Sequence, residues 1–408
     1  MNYTKKRWII LIASCLINLC IGSLYAWSVF ATPMAKYLSE ITNSEITSLA
    51  VVFTIANSVG PITMISGGVI NDRLGPKWVI FIGGILFGLG MIFSGFTNSI
   101  FTLILTYGLG CGLGMGMVYG CTVSNSVKFF PDKRGLVGGI TTASYGISSV
   151  IIPIIANMLI EQFSITTVFE ILGVVMLVVI CTSAFFIDTC PVGFKPDGWE
   201  PAETLHKSAV QDKNWKEMMK DPIFYIMLFM LCCGAFSGLM ITSQASPVAQ
   251  QMIGMSAAEA ALAVSILALL NTAGRILAGF ISDKIGAVNT ILGVFLLSVL
   301  GLGCLYISGT GSIITFYVGI SIAGLCFGSI MGIYPGFTAA QFGARNNSVN
   351  YGIMFIGFAA AGYFGPTIMT TLFKMNGSYK MAFLVAASLA ILGIVLTLVY
   401  KRIKNNRI

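Results

Sequence analysis

The chain has 408 residues, of which 56% are hydrophobic and only 9% are charged, and its formal net charge at pH 7 is +8. Because soluble domains carry about 25% charged residues, this composition excludes a soluble enzyme or a soluble binding domain and indicates a membrane protein. A positive net charge can also indicate a nucleic-acid partner, so the positions of the basic residues decide what it means.

Twelve apolar runs are long enough to cross a bilayer, which takes roughly 20 helical residues. They cover residues 8–32, 47–71, 78–98, 100–127, 136–160, 165–187, 222–247, 258–281, 287–308, 312–338, 349–373 and 380–400. The first run follows the basic start MNYTKKRW, as in a signal peptide, but it is too long and lacks a small-residue cleavage site, so we interpret it as a span. The sequence therefore predicts an all-α membrane protein with twelve transmembrane helices.

The basic residues lie mostly on one side of these spans. Nineteen of the 23 lysines and arginines are in the termini and in the loops that follow even-numbered spans, and three are in the opposite loops. Since cytoplasmic loops carry the excess of Lys and Arg, we expect a multi-pass protein of the cytoplasmic (inner) membrane with both termini in the cytoplasm. This distribution explains the net charge without a nucleic-acid partner, and it leaves one basic residue, Arg275, inside a span.

A polar stretch separates the first six spans from the last six. It divides the chain into an N-terminal six-helix bundle (1–187), a cytoplasmic linker (188–221) and a C-terminal six-helix bundle (222–408). Within the linker, NWKEMMKD predicts a short helix, either on the inner membrane surface or in solution. The only histidine, His206, is also in the linker, and no Cys-x-x-Cys pair occurs, so we expect neither a metal site nor a cofactor.

The two halves of the sequence resemble each other at three landmarks. Each landmark pairs a residue of the first half with one of the second half, at offsets of 211, 215 and 213 positions: Asp72 with Asp283, Tyr119 with Tyr334, and Pro153 with Pro366. Three landmarks at nearly one offset indicate a duplicated six-helix unit, which is how many transporters are built.

Several stretches resemble a known family. GGVINDRLGPK, at the end of the second span, resembles the signature of the major facilitator superfamily, and a weaker copy ends the eighth span. GSLYAWSVF, YGCTVSNSVKFFPDKRGLVGGI and QFGARNNSVNYGI are similar to the oxalate/formate antiporter branch of that superfamily. The resemblance implies two pseudo-symmetric six-helix bundles that rock about one central site and expose it to each side in turn. It also implies transport of small carboxylate anions.

Arg275 is the residue that points most directly to a substrate. A charge near the membrane centre costs about 2.5–3.5 kcal/mol on insertion scales, so it normally faces a cavity and has a partner. No acidic residue shares its depth, so we expect the partner to be a substrate carboxylate, held by two parallel hydrogen bonds. Asn271, one turn earlier on the same face, can bind the same group or make a helix–helix contact. The alternative is that Arg275 extends to the inner surface beside Asp283.

Tyrosines complete the candidate substrate site. Four of them lie inside spans, where a hydroxyl without a partner would be costly, and the resemblance places their positions around the central cavity: Tyr25, Tyr119, Tyr145 and Tyr334. A carboxylate held by Arg275 could accept hydrogen bonds from Tyr119 and Tyr334. For each tyrosine, the alternative is core packing with a backbone partner.

The eleventh span indicates the class of anion. Oxalate carriers of the branch have a lysine in this span as a second cation, whereas the nearest positions here are Phe355, Gly357 and Phe358. One fixed positive charge matches one negative charge, and an aromatic wall suits a short apolar tail. We therefore expect a secondary active transporter for a monocarboxylate such as lactate, pyruvate or formate. A dicarboxylate antiporter and a transporter-like anion sensor are the alternatives.

Further expectations concern gating, coupling and assembly. By resemblance, Asp72 and Arg73 tie the two bundles together on the cytoplasmic side, and Asp283 is the counterpart in the second half. No Asp, Glu or His lies near the midplane to carry a proton, so anion exchange and proton symport both stay open. The spans contain no nucleophile, metal cluster or carboxylate pair, so we expect no enzymatic activity, and we expect the protein to work as a monomer in the lipid bilayer.

Overall fold

The computed structural model describes residues 3–46, 48–200 and 212–406, so His206 lies outside the described residues. Twelve helices in this part of the chain are long and apolar enough to cross a membrane. In chain order they are α1 (Tyr3–Thr42), α2 (Ala50–Leu74), α3 (Pro76–Ser94), α4 (Ile100–Phe129), α5 (Arg134–Ile160), α6 (Ile165–Ala184), α7 (Pro222–Ile253), α8 (Ala257–Ile285), α9 (Ala287–Ile307), α10 (Ile313–Phe342), α11 (Asn347–Asn376) and α12 (Lys380–Asn405). The predicted all-α fold with twelve spans is confirmed.

Some of these helices depart locally from regular α geometry. α1 contains a 3-10 turn at Gly22–Ala26, and α11 is interrupted at Phe355, between Asn347–Met354 and Ile356–Asn376. α4 has a π-helical stretch at Ile104–Cys111, and α7 ends in another at Val248–Ile253. The irregular parts of α1 and α11 include two of the predicted site residues, Tyr25 and Phe355, and such irregularities change the direction in which side chains point.

The chain groups into two compact units. Unit 1 comprises Met1–Pro131, Ser144–Trp199 and Ala344–Ile353, and unit 2 comprises Asp132–Ala143, Glu200–Gly343 and Met354–Ile408. Each unit thus includes the first residues of one helix from the other half of the sequence, α11 in unit 1 and α5 in unit 2. The domain boundaries at residues 187 and 222 stay a prediction.

Glycines allow α4 to pack closely on α2 in unit 1. Gly112 and Gly116 of α4 lie directly against the α2 backbone, where a Cβ would overlap the carbonyl oxygens of Ala56 and Gly60. Small residues spaced four apart let two helix backbones approach each other in this way. The spacing therefore fixes how α4 is rotated against α2.

Unit 2 repeats this packing between α10 and α8. Three glycines of α10, also spaced four apart, face successive carbonyl oxygens of α8: Gly324 faces Leu267, Gly328 faces Asn271 and Gly332 faces Arg275. A Cβ at any of the three would overlap the backbone opposite. The predicted internal duplication therefore extends to individual helix contacts.

The matching contacts also define the register of the repeat. Gly112 and Gly324 are 212 positions apart and occupy equivalent places, so Tyr119 corresponds to Met331 and not to Tyr334. The pairing of Tyr119 with Tyr334, 215 positions apart, is therefore wrong by three residues. Because three residues are nearly one helical turn, the error was not visible in the pattern of apolar residues.

Met64 is the equivalent of Arg275 in this register. The two residues are 211 positions apart, and glycines of the neighbouring helices face both of them: Gly120 and Gly352 face Met64, whereas Gly332 and Gly139 face Arg275. The duplicated architecture thus carries an arginine at this position in one half only.

A short helix, Trp215–Lys220, forms the end of the predicted linker. Asn214 caps it, since its side chain accepts hydrogen bonds from the N–H groups of Lys216 and Glu217 and the Glu217 carboxylate accepts from the Asn214 N–H. Met218 is buried, whereas Trp215 is 41% exposed. That this helix rests on a membrane surface stays a prediction.

Candidate functional site

Arg275 is buried in unit 2, with 3% of its surface exposed. Its Nη1 donates a hydrogen bond of 2.6 Å to the carbonyl oxygen of Thr142 in α5, and its Nε donates one of 3.3 Å to Oδ1 of Asn271. Among the described residues no carboxylate forms an ion pair with it. The buried guanidinium is therefore balanced only by neutral acceptors, an arrangement that can hold an anion.

The alternative position of Arg275, beside Asp283, is not observed. Both carboxylate oxygens of Asp283 accept hydrogen bonds from the α5 backbone, at Gly135 and Leu136. The Arg275 side chain instead contacts α5 two turns further along, at Thr142.

The α8 backbone at Arg275 is held between two other helices. A Cβ at Gly332 of α10 or at Gly139 of α5 would overlap the carbonyl oxygen of Arg275. Since both neighbours approach to backbone contact, α8 cannot slide or rotate at this point without displacing α5 or α10. The packing thereby fixes the position of the Arg275 backbone.

Three phenylalanines of unit 2 stack on one another. The ring centroids of Phe355 and Phe358 are 4.5 Å apart, and Phe358 stacks on Phe327 of α10 at 6.4 Å with an interplanar angle of 8°. Gly238 of α7 makes room for Phe327, because a Cβ there would overlap the Phe327 ring. Phe355 and Phe358 are half-buried, so their rings offer an apolar wall. Phe327 was not predicted, although its neighbour Gly328 packs on Asn271.

Three of the four predicted tyrosines form a cluster in unit 1. The Tyr145 ring lies 5.1 Å from Tyr25 and 5.0 Å from Tyr119, measured between centroids. Tyr145 follows Thr142 by three residues in the same helix, and Thr142 accepts the Arg275 hydrogen bond. These three tyrosines thus lie together, and that they line a substrate cavity stays a prediction.

Tyr334 is placed differently from the prediction. It is fully buried in unit 2, and its hydroxyl donates a hydrogen bond of 2.8 Å to the carbonyl oxygen of Met227 in α7. Gly332 faces Arg275, and residues two apart on a helix point about 200° apart. Tyr334 therefore points away from Arg275 and has the structural role, core packing with a backbone partner.

Asp72 caps the beginning of α11 in unit 1. One carboxylate oxygen accepts a hydrogen bond of 3.1 Å from the Val349 N–H, and the other is 2.7 Å from Nζ of Lys128. Lys128 also donates to the carbonyl oxygen of Arg345, at 3.0 Å. A carboxylate in the first turn of a helix interacts favourably with the unpaired N–H groups and the helix dipole, so Asp72 holds the start of α11 within unit 1.

Asp283 makes the equivalent contact in unit 2. Its carboxylate accepts hydrogen bonds from the N–H groups of Gly135 and Leu136, at 2.7 and 2.8 Å, in the first turn of α5. Arg73, by contrast, is exposed and forms no ion pair in the described part of the chain. The positive partner of Asp72 is Lys128, a residue of the stretch YGCTVSNSVKFFPDKRGLVGGI, and this pair was not predicted.

Known proteins resemble this chain over most of its length. It is 28% identical over 357 residues to an uncharacterized MFS-type transporter, YhjX, of Escherichia coli (strain K12), covering 88% of this chain and 86% of that protein. It is 27% identical over 384 residues to the oxalate:formate antiporter of Oxalobacter formigenes, covering 94% and 88%. It is 24% identical over 426 residues to monocarboxylate transporter 12 of Homo sapiens, covering 98% and 81%.

A solved structure and a family model agree with these sequence matches. The crystal structure of the transporter FucP in the outward conformation superposes with a TM-score of 0.73 at 13% identity, covering 97% of this chain and 99% of FucP. The family model of the Major Facilitator Superfamily matches residues 12–366. The protein therefore belongs to the Major Facilitator Superfamily and is a multi-pass membrane transporter, a carrier and not an enzyme.

Proposed function

We propose that the protein carries small monocarboxylates, such as lactate, pyruvate or formate, across the cytoplasmic membrane, with both termini in the cytoplasm, and that Arg275 binds the substrate carboxylate. The observation that carries this proposal is the buried Arg275 side chain, which has two neutral acceptors and no ion pair among the described residues. A guanidinium pairs best with a carboxylate, through two parallel hydrogen bonds.

Asn271 supports this role by orienting the guanidinium. Its Oδ1 accepts from Nε of Arg275, one turn away on the same helix. A carboxylate that binds the terminal nitrogens would then meet a side chain that is already held in one plane. We assign Asn271 to the substrate site on this ground.

We infer the charge of the substrate from the residues of the eleventh span. The eleventh span contains no lysine in VNYGIMFIGFAAAGYFGPTIMTTLF, and its half-buried Phe355 and Phe358 rings stack together. The resemblance implies that this span lines the site, and a dianion there would leave its second carboxylate unpaired and desolvated beside these rings, which costs at least several kcal/mol. A monocarboxylate with a short apolar tail leaves no such charge. The relatives named for oxalate and formate and for monocarboxylates support a small carboxylate.

The test is competition for transport by purified protein in liposomes. Unlabelled lactate, pyruvate, formate and oxalate compete against labelled lactate, and we expect the three monocarboxylates to compete at least about tenfold better than oxalate, a difference of about 1.4 kcal/mol. If oxalate competes as well as lactate, the substrate class is that of the dicarboxylate carriers. Binding of lactate without any flux would indicate an anion sensor.

Arg275→Lys and Arg275→Ala test the site itself. Lysine keeps the charge but loses the planar pair of donors, so we expect folded protein whose uptake is reduced at least about tenfold, and we expect alanine to abolish uptake. Arg402→Lys, at an exposed position near the end of α12, is the matched control. Near-normal uptake by Arg275→Ala would remove Arg275 from the substrate site.

A further inference from the structure

The hydrogen bond between Arg275 and Thr142 is short and joins two helices. Nη1 of Arg275 in α8 is 2.6 Å from the carbonyl oxygen of Thr142 in α5. In a regular helix that carbonyl also accepts from the N–H four residues later, and its second lone pair is available for the guanidinium. The bond therefore ties α8 to α5 without disturbing either helix.

Thr142 lies at a particular place along α5. Residues Asp132–Ala143 group with unit 2, whereas the same helix groups with unit 1 from Ser144 onward. The bond to Arg275 is thus formed one residue before the end of the part of α5 that belongs to unit 2. At the other end of this part, Asp283 accepts hydrogen bonds from Gly135 and Leu136. The segment is fastened to α8 at both ends.

We propose that the Thr142 carbonyl takes the place of the substrate carboxylate when the carrier is empty, and that substrate binding breaks this bond and releases α5 from α8. This inference rests on the proposed function, because it assumes that Arg275 binds the substrate carboxylate. A carbonyl oxygen carries a partial charge, whereas a carboxylate carries a full one and accepts two hydrogen bonds from one guanidinium. In the proposed exchange the carboxylate takes Nη1 as one of its two donors in place of the carbonyl, and the empty carrier closes the bond again.

The consequence is a carrier that changes conformation readily only when it is loaded. In the empty protein the segment Asp132–Ala143 is hydrogen-bonded to α8 at Asp283 and at Arg275, whereas in the loaded protein only the hydrogen bonds at Asp283 and the glycine packing remain. Exchange of one anion for another is then fast, and net movement without a counter-substrate is slow. The Thr142 carbonyl is thus a positioning group that links occupancy of Arg275 to the freedom of α5.

The unmodified protein provides the first test. Liposomes loaded with labelled lactate are diluted into buffer with or without external lactate, and the rate of efflux is measured. We expect external lactate to accelerate efflux at least about tenfold. Equal rates in the two buffers would show that the empty carrier returns freely, which overturns the proposal.

The second test weakens the Thr142 carbonyl without changing any side chain. Replacing Ala143 by its α-hydroxy analogue through nonsense suppression turns the Thr142 carbonyl into an ester carbonyl, which is a poorer acceptor. We expect net efflux to rise about fivefold relative to exchange, and lactate to bind more tightly because its competitor is weaker. The same replacement at Ala156, buried in the same helix, is the matched control.

The outcomes separate this proposal from the proposed function. The Ala143 ester and its control could both bind lactate and show the same ratio of net efflux to exchange as the unmodified protein. In that case Arg275 binds substrate, but the Thr142 bond does not restrain the empty carrier. If the unmodified protein does not bind monocarboxylates, the proposed function fails first. An ester that lowers lactate affinity while leaving the ratio unchanged would show that the substrate needs the Thr142 bond, the reverse of what we propose.

Discussion

Phe358 is the residue that decides between one and two negative charges under the proposed function. Its ring stacks between Phe355, at 4.5 Å, and Phe327, at 6.4 Å. The half-buried rings present carbon atoms and no charge, so under the proposed function they offer a second carboxylate no ion pair. A single cation at this residue would supply the missing partner.

Phe358→Lys is expected to move the selectivity toward dianions. The new ammonium can pair with the second carboxylate of oxalate, whereas lactate loses an apolar contact. We expect competition by oxalate relative to lactate to improve about tenfold, or about 1.4 kcal/mol. Phe358→Met, which removes the ring without adding charge, is the control for lost packing. If the two variants change selectivity equally, charge at residue 358 does not decide it.

At the scale of the helix, α8 is the element that carries Arg275 and Asn271, the centre of the candidate site. Gly139 and Gly332 bring α5 and α10 against the carbonyl oxygen of Arg275 from two directions, and Gly328 brings α10 against Asn271. Backbone contact on both sides leaves α8 a single position in unit 2. The guanidinium is therefore positioned by residues that themselves have no side chain.

Gly332→Ala is expected to disturb the site through the backbone. The added methyl group overlaps the Arg275 carbonyl, so α8 and α10 must separate, which costs about 1–3 kcal/mol of stability. We expect a lower melting temperature together with weaker lactate binding. Gly303→Ala in α9, where a Cβ meets no atom within 4 Å, is the matched control. Equal effects of both variants on binding would mean that the α8–α10 contact does not position Arg275.

The existence of these helices could be predicted, but not all of their ends. The sequence predicts α9 at residues 287–308, and the helix is found at Ala287–Ile307. The ends agree because almost the whole of this helix is apolar, so hydropathy marks both of them. α1 was expected to end at residue 32 and continues to Thr42. Hydropathy gives the length of the apolar segment only. A helix extends beyond this segment where polar residues, such as Lys36 and Glu40, also adopt helical conformation.

The candidate site was predictable where chemistry alone decides it. Arg275 stands out because a buried charge is costly, whichever residues surround it. Thr142 contributes a backbone carbonyl, which every residue has, so no pattern could identify it. The contact of Tyr334 depends on how α10 is rotated about its axis, and the ion pair of Lys128 depends on how closely α4 approaches α2. Both depend on contacts between distant parts of the chain.

At the scale of the whole molecule, two aspartates, one in each half of the sequence, each bind the first turn of a different helix. Asp72 accepts from the Val349 N–H at the start of α11, and Asp283 accepts from Gly135 and Leu136 at the start of α5. In each case the carboxylate faces the positive end of a helix dipole. The same contact therefore occurs in both halves of the repeat. A conformational change that moves the start of α11 away from α2, or the start of α5 away from α8, must break these hydrogen bonds.

Asp72→Asn is expected to slow transport while leaving equilibrium binding nearly intact. Asparagine still offers an oxygen to the Val349 N–H, but it loses the ion pair with Lys128 and most of the interaction with the helix dipole. We expect initial lactate uptake to fall about tenfold, with an unchanged dissociation constant by scintillation proximity. Asp197→Asn, the same change at an exposed loop position, is the control. A large loss of binding with normal turnover would place Asp72 at the site instead of the gate.

Met64 occupies in the first half the place that Arg275 occupies in the second, and this asymmetry has an electrical consequence. A guanidinium that holds one monocarboxylate forms a neutral pair, so the loaded site carries no net charge as it changes sides. A potential of 100 mV does about 2.3 kcal/mol of work on each elementary charge that crosses the membrane. On a neutral pair it does none. Under the proposed mechanism, one-for-one exchange of monocarboxylates produces no current and proceeds at the same rate whatever the membrane voltage.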